Sequence, residues 1–260
     1  LLLESWNAKR LGPQVWPLEA LRHGDGFAAT FAVDLAPHDL WLCVPAQFNV
    51  EEISLDGRRI GPCASPFGDS LLWSDERWHW FALGCVDGGN NSLFLTTNLK
   101  DEKLRVLLVG DFSLRTGDEW LWDDESETQI TAPQPLILAG ESWHQAGLPF
   151  YAGAVEYSTR LTIPVEWKNC RYFLEIAQTQ DVVDCVANGQ SCGVRFAPPV
   201  RFDLSEHLRA GEENEILLRV WNSAQAIEVA LTDETQSLQP SGILSPVRLA
   251  AYPRVKWSKA

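Results

Sequence analysis

Two stretches of the chain carry the same signals in the same order, and this repeat constrains the fold more than any other feature. The first runs from Phe31 (FAVDLAPHDLWLCVPAQFNVEEISLDGRRIG) and closes with GGNNSLFLTTN. The second runs from Tyr157 (YSTRLTIPVEWKNCRYFLEIAQTQDVVDCVANGQSCG) and closes with GEENEILLRVWN. In each, an alternating strand ends at a Pro-containing turn, a second apolar strand follows, and a third leads into Asp56-Gly57 or Asn188-Gly189. Such a pair between apolar runs marks a tight hairpin, because a primed turn needs positive φ at both central residues. The chain therefore reads as two tandem β-sandwiches. Its length of 260 residues allows one large or two modest domains, and the repeat favours two.

Around that repeat the chain divides into four parts. Residues 1–26, with Trp6, Trp16, Pro13 and Pro17, read as a lead-in that packs on the first sandwich, with one helical turn over 18–23. Residues 27–115 form the first sandwich, whose last strand breaks at Gly110-Asp111. Residues 116–132 are the most acidic and least periodic stretch, an exposed connection between the halves or a hairpin excursion. Residues 133–260 form the second sandwich. Within it, 202–208 reads as a short turn-like helix that Asp203 or Ser205 caps and Gly211 ends.

Charge and composition remove several classes of function. A net charge of −14 argues against nucleic acid and anionic membrane as partners, since phosphates must be met by clustered Lys and Arg. The longest apolar runs are strand-length, short of the roughly 20 residues a bilayer needs. Leu1-Leu2-Leu3 has no basic region before it and does not read as a signal peptide. The abrupt start and the lack of any methionine suggest a piece of a longer protein. Six cysteines occur without a CxxC pair or neighbouring histidines, which argues against zinc. Cys43, Cys170 and Cys185 lie in strand-like apolar runs, so reduced thiols are favoured over disulfides and the cytoplasm slightly over secretion. Asp123, Asp124 and Glu125 are oxygen donors of the type a structural calcium takes, although a solvated acidic surface is the commoner use. No other cofactor or metal is expected. Nucleophilic-serine, zincin and nucleotide-binding motifs do not occur.

The second half resembles the galactose-binding-like jelly roll known as the sugar-binding domain of family 2 glycoside hydrolases. The resemblance rests on VANGQSCG (186–193), FAPPVRFDLSEHLRAGEENEILLRVWN (196–222) and SGILSPVRL (241–249), and it covers residues 150–255. LLVGDFSL (107–114) and PLILAGESWHQAGLPFYAGAVEYSTRL (135–161) extend it. Together they resemble the C-terminal β-sandwich region of bacterial α-L-rhamnosidases of glycoside hydrolase family 106, with the first half as a divergent copy. The resemblance implies two tandem jelly-roll sandwiches whose catalytic carboxylates belong to a separate barrel outside these residues. It implies no catalytic residue here, and as partners the catalytic domain of the same polypeptide and carbohydrate.

The residues leave rivals open. Glycoside hydrolysis needs two carboxylates across the scissile bond, and Glu141 and Glu156 are the most enzyme-like placements, although a turn and an outward strand position explain them more simply. Flat aromatic faces suit pyranose rings as well as they suit a core, and the chain has twelve tryptophans. Trp41, Trp167 and Trp221 read as packing. Trp78 and Trp80, near Trp73, share one strand face with His79 on the other. If outward, that face is a stacking platform, and otherwise a contact with a neighbouring domain. Trp143, His144 and Tyr151 form a second aromatic cluster, either sugar-facing or an interdomain anchor. Arg195 donates to sugar hydroxyls or pairs with Asp203. The candidate carbohydrate-binding set is thus Trp78, Trp80, Trp143, His144, Tyr151 and Arg195. The alternatives are a free-standing carbohydrate-binding module, a small glycosidase with its own carboxylate pair, and a purely structural sandwich.

Overall fold

A computed structural model describes residues 1–35, 37, 39–67, 76–116, 128–136, 142–151, 153–222 and 240–254. The described residues are all-β, interrupted by a single 3-10 turn at Val165–Trp167. Their apolar side chains gather into two clusters, one drawn mainly from 15–114 and the other mainly from 143–249. Each buried large side chain contributes about 1.5–3 kcal/mol.

In the first half one sheet runs in the order Arg58–Ile60, Val50–Leu55, Gly89–Thr97, Gly26–Val33, Gln14–His23, Lys103–Gly110, Leu40–Pro45, Trp78–Gly84, Pro62–Cys63. The sheet turns over at its middle. Gln14–His23 and Gly26–Val33 pair only over three residues next to their shared turn, and elsewhere each pairs with a different neighbour. The two arms enclose Phe27, Phe31, Leu42, Trp80, Leu95 and Val106.

The second half holds two separate antiparallel sheets. One runs Gln190–Arg195, Val182–Ala187, Glu213–Trp221, Ala154–Thr162, Asn7–Arg10; the other runs Leu2–Leu3, Val247–Pro253, Cys170–Ile176, Val200–Asp203. Strand for strand, the first four of each repeat the order of the two arms in the first half. Gly89–Thr97 lies between Val50–Leu55 and Gly26–Val33 just as Glu213–Trp221 lies between Val182–Ala187 and Ala154–Thr162.

The correspondence reaches single hydrogen bonds. Asp56 and Gly57 have φ of 50° and 79°, and Asn188 and Gly189 have 49° and 77°, the left-handed pair a primed turn requires. The Asp56 amide donates to the Ser92 carbonyl and Asp56 Oδ1 accepts the Ser92 amide, both at 2.8 Å. Asn188 does the same with Glu215, both at 2.9 Å. One residue earlier on the partner strand each half buries an asparagine. Asn91 Nδ2 donates to the carbonyls of Asp87 and Gly89, and Asn214 Nδ2 to those of Arg209 and Glu212. Asn214 carries more, since its Oδ1 also accepts the Arg209 amide at 2.8 Å and Asn188 Nδ2 at 2.9 Å.

Residues 1–26 depart from the expected lead-in. Only 14–26 joins the sheet of the first half, and 14–23 does so as a strand whose 18–23 segment is extended rather than helical. Val15, Leu18 and Ala20 are buried by its packing, and tertiary burial overrides the local helical preference. Pro17, which has no N–H to give, sits where the strand has a neighbour on one side only. Residues 2–3 and 7–10 pair instead with Val247–Pro253 and Ala154–Thr162, one in each sheet of the second half. Of the two readings of 116–132, the ends of the stretch agree with the hairpin excursion. Thr128–Thr131 pairs with Ser113–Thr116 as the arms of a hairpin and lies parallel to Gly26–Val33, and Ile130 is buried in the first cluster.

Between the halves runs a polar seam. Arg10, whose side chain is 12% exposed, bonds Asp111 at 2.6 Å and donates to the Phe112 carbonyl at 3.2 Å. Burial lowers its pKa, and Asp111 and Tyr151 work against that. The Leu114 amide donates to the Gly147 carbonyl at 2.8 Å, while Phe150 packs into the first cluster.

Candidate functional site

The candidate residues separate into three places. Trp78 and Trp80 do share one face of Trp78–Gly84, but that face points inward: they are 3% and 1% exposed and belong to the first core. No stacking platform exists there, because WHWFALG is apolar on both phases and the sheet closes over the tryptophans. Arg195 lies on the second half's hairpin. It donates to the carbonyls of Arg201 at 3.1 Å and Val194 at 2.9 Å and covers the Phe202 ring. It does not pair with Asp203, whose cation is Arg171. Trp41 and Trp167 are half-buried against the two clusters. Trp73, Glu141, Asp123, Asp124 and Glu125 lie outside the described residues.

Trp143, His144 and Tyr151 stay together at one end of the second sandwich, where the two aromatic rings meet edge-on at 5.3 Å. Both rings are 1% exposed, so this cluster is an anchor rather than a surface. Trp143 Nε1 donates to the Tyr157 hydroxyl at 2.8 Å, the Trp143 amide donates to the Ser241 carbonyl at 2.9 Å, and Tyr151 donates to the Ala154 carbonyl at 2.8 Å. Burial raises both tyrosines, Tyr151 to about 12, and lowers His144. Asp181 completes the network. It accepts the Gly242 amide, and Thr179 Oγ1 donates to the Gly242 carbonyl at 2.9 Å. Burial pushes the Asp181 carboxyl up to about 7, against the pull of the Gly242 amide. Gly242 has φ of 104°, and a Cβ there would stand 2.7 Å from Trp143 Nε1, so no other residue fits this turn.

The outer face of the four-stranded sheet presents what the buried clusters do not. In Cys170–Ile176 the side chains of Tyr172, Leu174 and Ile176 go inward, leaving Arg171, Phe173 and Glu175 outward. Phe173 meets Tyr252 edge-on at 5.7 Å, and Tyr252 is 47% exposed. Arg201 lies 3.8 Å from the Phe173 ring centroid and pairs with Glu175 at 3.2 Å. Beside this aromatic pair opens a polar recess of about 790 Å³ lined by Arg171, Asp203, Ser205, Glu206, His207 and Arg254. Burial works to raise the Asp203 carboxyl, but the Ser205 hydroxyl, Arg171 and the Ser205 amide outweigh it and hold it below the usual carboxylate range. An aromatic wall beside fixed donors and acceptors can stack a sugar ring and bond its hydroxyls. The sequence carried a signal for this site, an aromatic on the polar phase of RYFLEI, which the tryptophan count overshadowed.

Glu156 is engaged by Arg219 at 2.8 Å on the outer face of the other sheet. Among the described residues no group of three or more His, Cys, Asp and Glu is placed to hold a metal ion, and no helix is long and apolar enough to cross a membrane.

No family model and no curated protein matches the chain. Among solved structures, parts of it are similar to bacterial β-glucuronidases. That of Ruminococcus gnavus is 23% identical over 27% of this chain and 12% of its own, with a TM-score of 0.26. That of Dictyoglomus thermophilum is 22% identical over 44% and 18%, with a TM-score of 0.29. That of Bifidobacterium dentium, complexed with coumarin-3-O-glucuronide, is 19% identical over 55% and 29%, with a TM-score of 0.36. The chain thus spans less than a third of the length of these proteins.

Proposed function

We propose that the chain is a non-catalytic, sugar-binding-domain-like region of a glycoside hydrolase of the rhamnosidase type. In this reading it supports the catalytic domain of the same polypeptide and contacts carbohydrate at the Phe173–Tyr252 face and its recess. The observation that carries the reading is that the three segments resembling the family act together in one sandwich. Asn188 of the first bonds Asn214 of the second and the His207 carbonyl, while Gly242 of the third is gripped by Asp181 and Thr179. Residues of the resemblance hold loops in place, and its 196–222 segment also gives Asp203, Ser205, Glu206 and His207 to the recess beside Phe173 and Tyr252.

The test is titration of the chain with L-rhamnose, D-galactose and D-glucuronate oligosaccharides by NMR, alongside assays on aryl glycosides. Saturable shifts at Phe173 and Tyr252, lost in Tyr252→Ala, and no turnover are the expected results. Turnover by the chain alone that Asp203→Asn or Glu156→Gln abolishes would overturn the non-catalytic reading.

A further inference from the structure

The hairpin that closes the second half carries two thiols on facing strands. Cys185 lies in Val182–Ala187 and is fully buried; Cys192 lies in Gln190–Arg195 and is half-buried against the same cluster. The register shifts between them. Cys185 faces Gly193 and Val186 faces Ser191, so Cys192 is the extra residue of a bulge. Because Gly193 has no side chain, the place over Cys185 is left to the Cys192 sulfur. Cys192 adjoins the residue that faces Cys185, and the two thiols are hydrogen-bonded to each other.

We propose that Cys185 and Cys192 are a modification site: in the presence of a low-molecular-weight disulfide they close into a reversible intrachain disulfide that staples the Asn188-Gly189 hairpin. Cys192 is the attacking thiol, being the more exposed of the two. The Cys185 side chain and the Ala187 amide favour its thiolate, although burial opposes them. The hydrogen bond with Cys192, then burial, push the Cys185 thiol up, which keeps its proton on until the second step. In the first step the Cys192 thiolate attacks one sulfur of the reagent, forms a mixed disulfide and expels one reagent thiolate. In the second, Cys185 attacks the Cys192 sulfur and expels the other half of the reagent, which takes the Cys185 proton. Two protein thiols are oxidised and one reagent disulfide is reduced to two thiols. A thiol-reducing agent reverses both steps.

The sequence allows a clean test. Cleavage after Arg171 and Arg195 releases peptide 172–195, which holds Cys185 and Cys192 and no other cysteine. The folded chain is incubated with oxidised glutathione, quenched in acid, alkylated under denaturing conditions and digested. The expected product is peptide 172–195 short of two hydrogens and carrying neither alkyl group nor glutathione, restored to two alkylatable thiols by dithiothreitol. Cys192→Ser should leave Cys185 reduced, and Cys185→Ala should trap glutathione on Cys192. The exposed Cys63 and Cys85 report that the reagent is active. A wild-type peptide that stays fully alkylatable while those residues react, or that stops at the mixed disulfide, overturns the proposal.

Discussion

The two halves share a strand order, a primed turn and a buried asparagine, yet they obtain one strand in opposite ways. Beside Lys103–Gly110 the first half places Gln14–His23, joined to Gly26–Val33 by a turn at Gly24-Asp25. Beside Val247–Pro253 the second half places Leu2–Leu3, some 150 residues upstream of Ala154–Thr162. The local connection fuses the arms of the first half into one sheet, whereas the remote one leaves the second half as two sheets. Sheet order in this molecule thus follows from which faces must be buried, and the connections are free to vary.

The largest expected difference between the halves is their response to pH. The Asp181 carboxyl is raised from 3.8 to about 7 in the folded chain, so its proton is held more tightly folded than unfolded. The stability it contributes is fully present below about pH 4 and is lost as pH rises through 7, by at most about 4 kcal/mol. The matching place in the first half is the exposed Asn49. Hydrogen exchange read peptide by peptide at pH 5 and 8, with intrinsic rates corrected, should show the second half loosening at pH 8 and the first half unaffected. Asp181→Asn should abolish the difference, and an unchanged pH response in that variant would break the contrast.

Next in size are the asparagines. Asn214→Ala strands the donors and acceptors of four bonds and should lower stability by about 3 kcal/mol in urea denaturation. Asn91→Ala strands two and should cost about 1–2 kcal/mol. Equal losses would mean that the extra bonds of Asn214 add nothing. The turns should then behave alike: Gly57→Val and Gly189→Val force a β-branched residue to φ near 78° and should each cost about 2 kcal/mol. A harmless Gly189→Val would refute the equivalence. Smallest of all, Arg209→Ala breaks an exposed pair with Glu212 at 3.5 Å and should change the urea midpoint by less than about 0.5 kcal/mol in equivalent stability.

What was legible in the sequence was whatever local chemistry dictates. Asp56-Gly57 and Asn188-Gly189 could be read because positive φ is a local demand, and Gly110 does end its strand. The 202–208 segment is not helical, since 202–203 end a strand and 205–207 form a turn, but Asp203 does cap that turn by accepting the Ser205 amide at 3.0 Å, a bond two residues long. The pairing of 1–10 with the second half was not legible, because backbone bonds to residues 150–250 positions away leave no pattern in LLL or NAKR. Alternation placed Trp78 and Trp80 on one face but could not say which face was inward, since both phases of WHWFALG are apolar. Proximity along the chain offers Asp203 as one partner for Arg195, but the register of Cys170–Ile176 with Val200–Asp203 gives that carboxylate to Arg171.

The strands at Leu2–Leu3 and Asn7–Arg10 also set a timetable for the ribosome. They leave the ribosome well before their neighbours at 154–162 and 247–253. At about 5–20 residues per second this segment waits from several seconds to tens of seconds with its backbone unpaired, while the first half can already assemble behind it. Its composition suits such a wait, because Glu4, Asn7, Lys9 and Arg10 interrupt the apolar residues and blunt it as a template for other chains. Strands made later are the ones that give this earlier segment its partners.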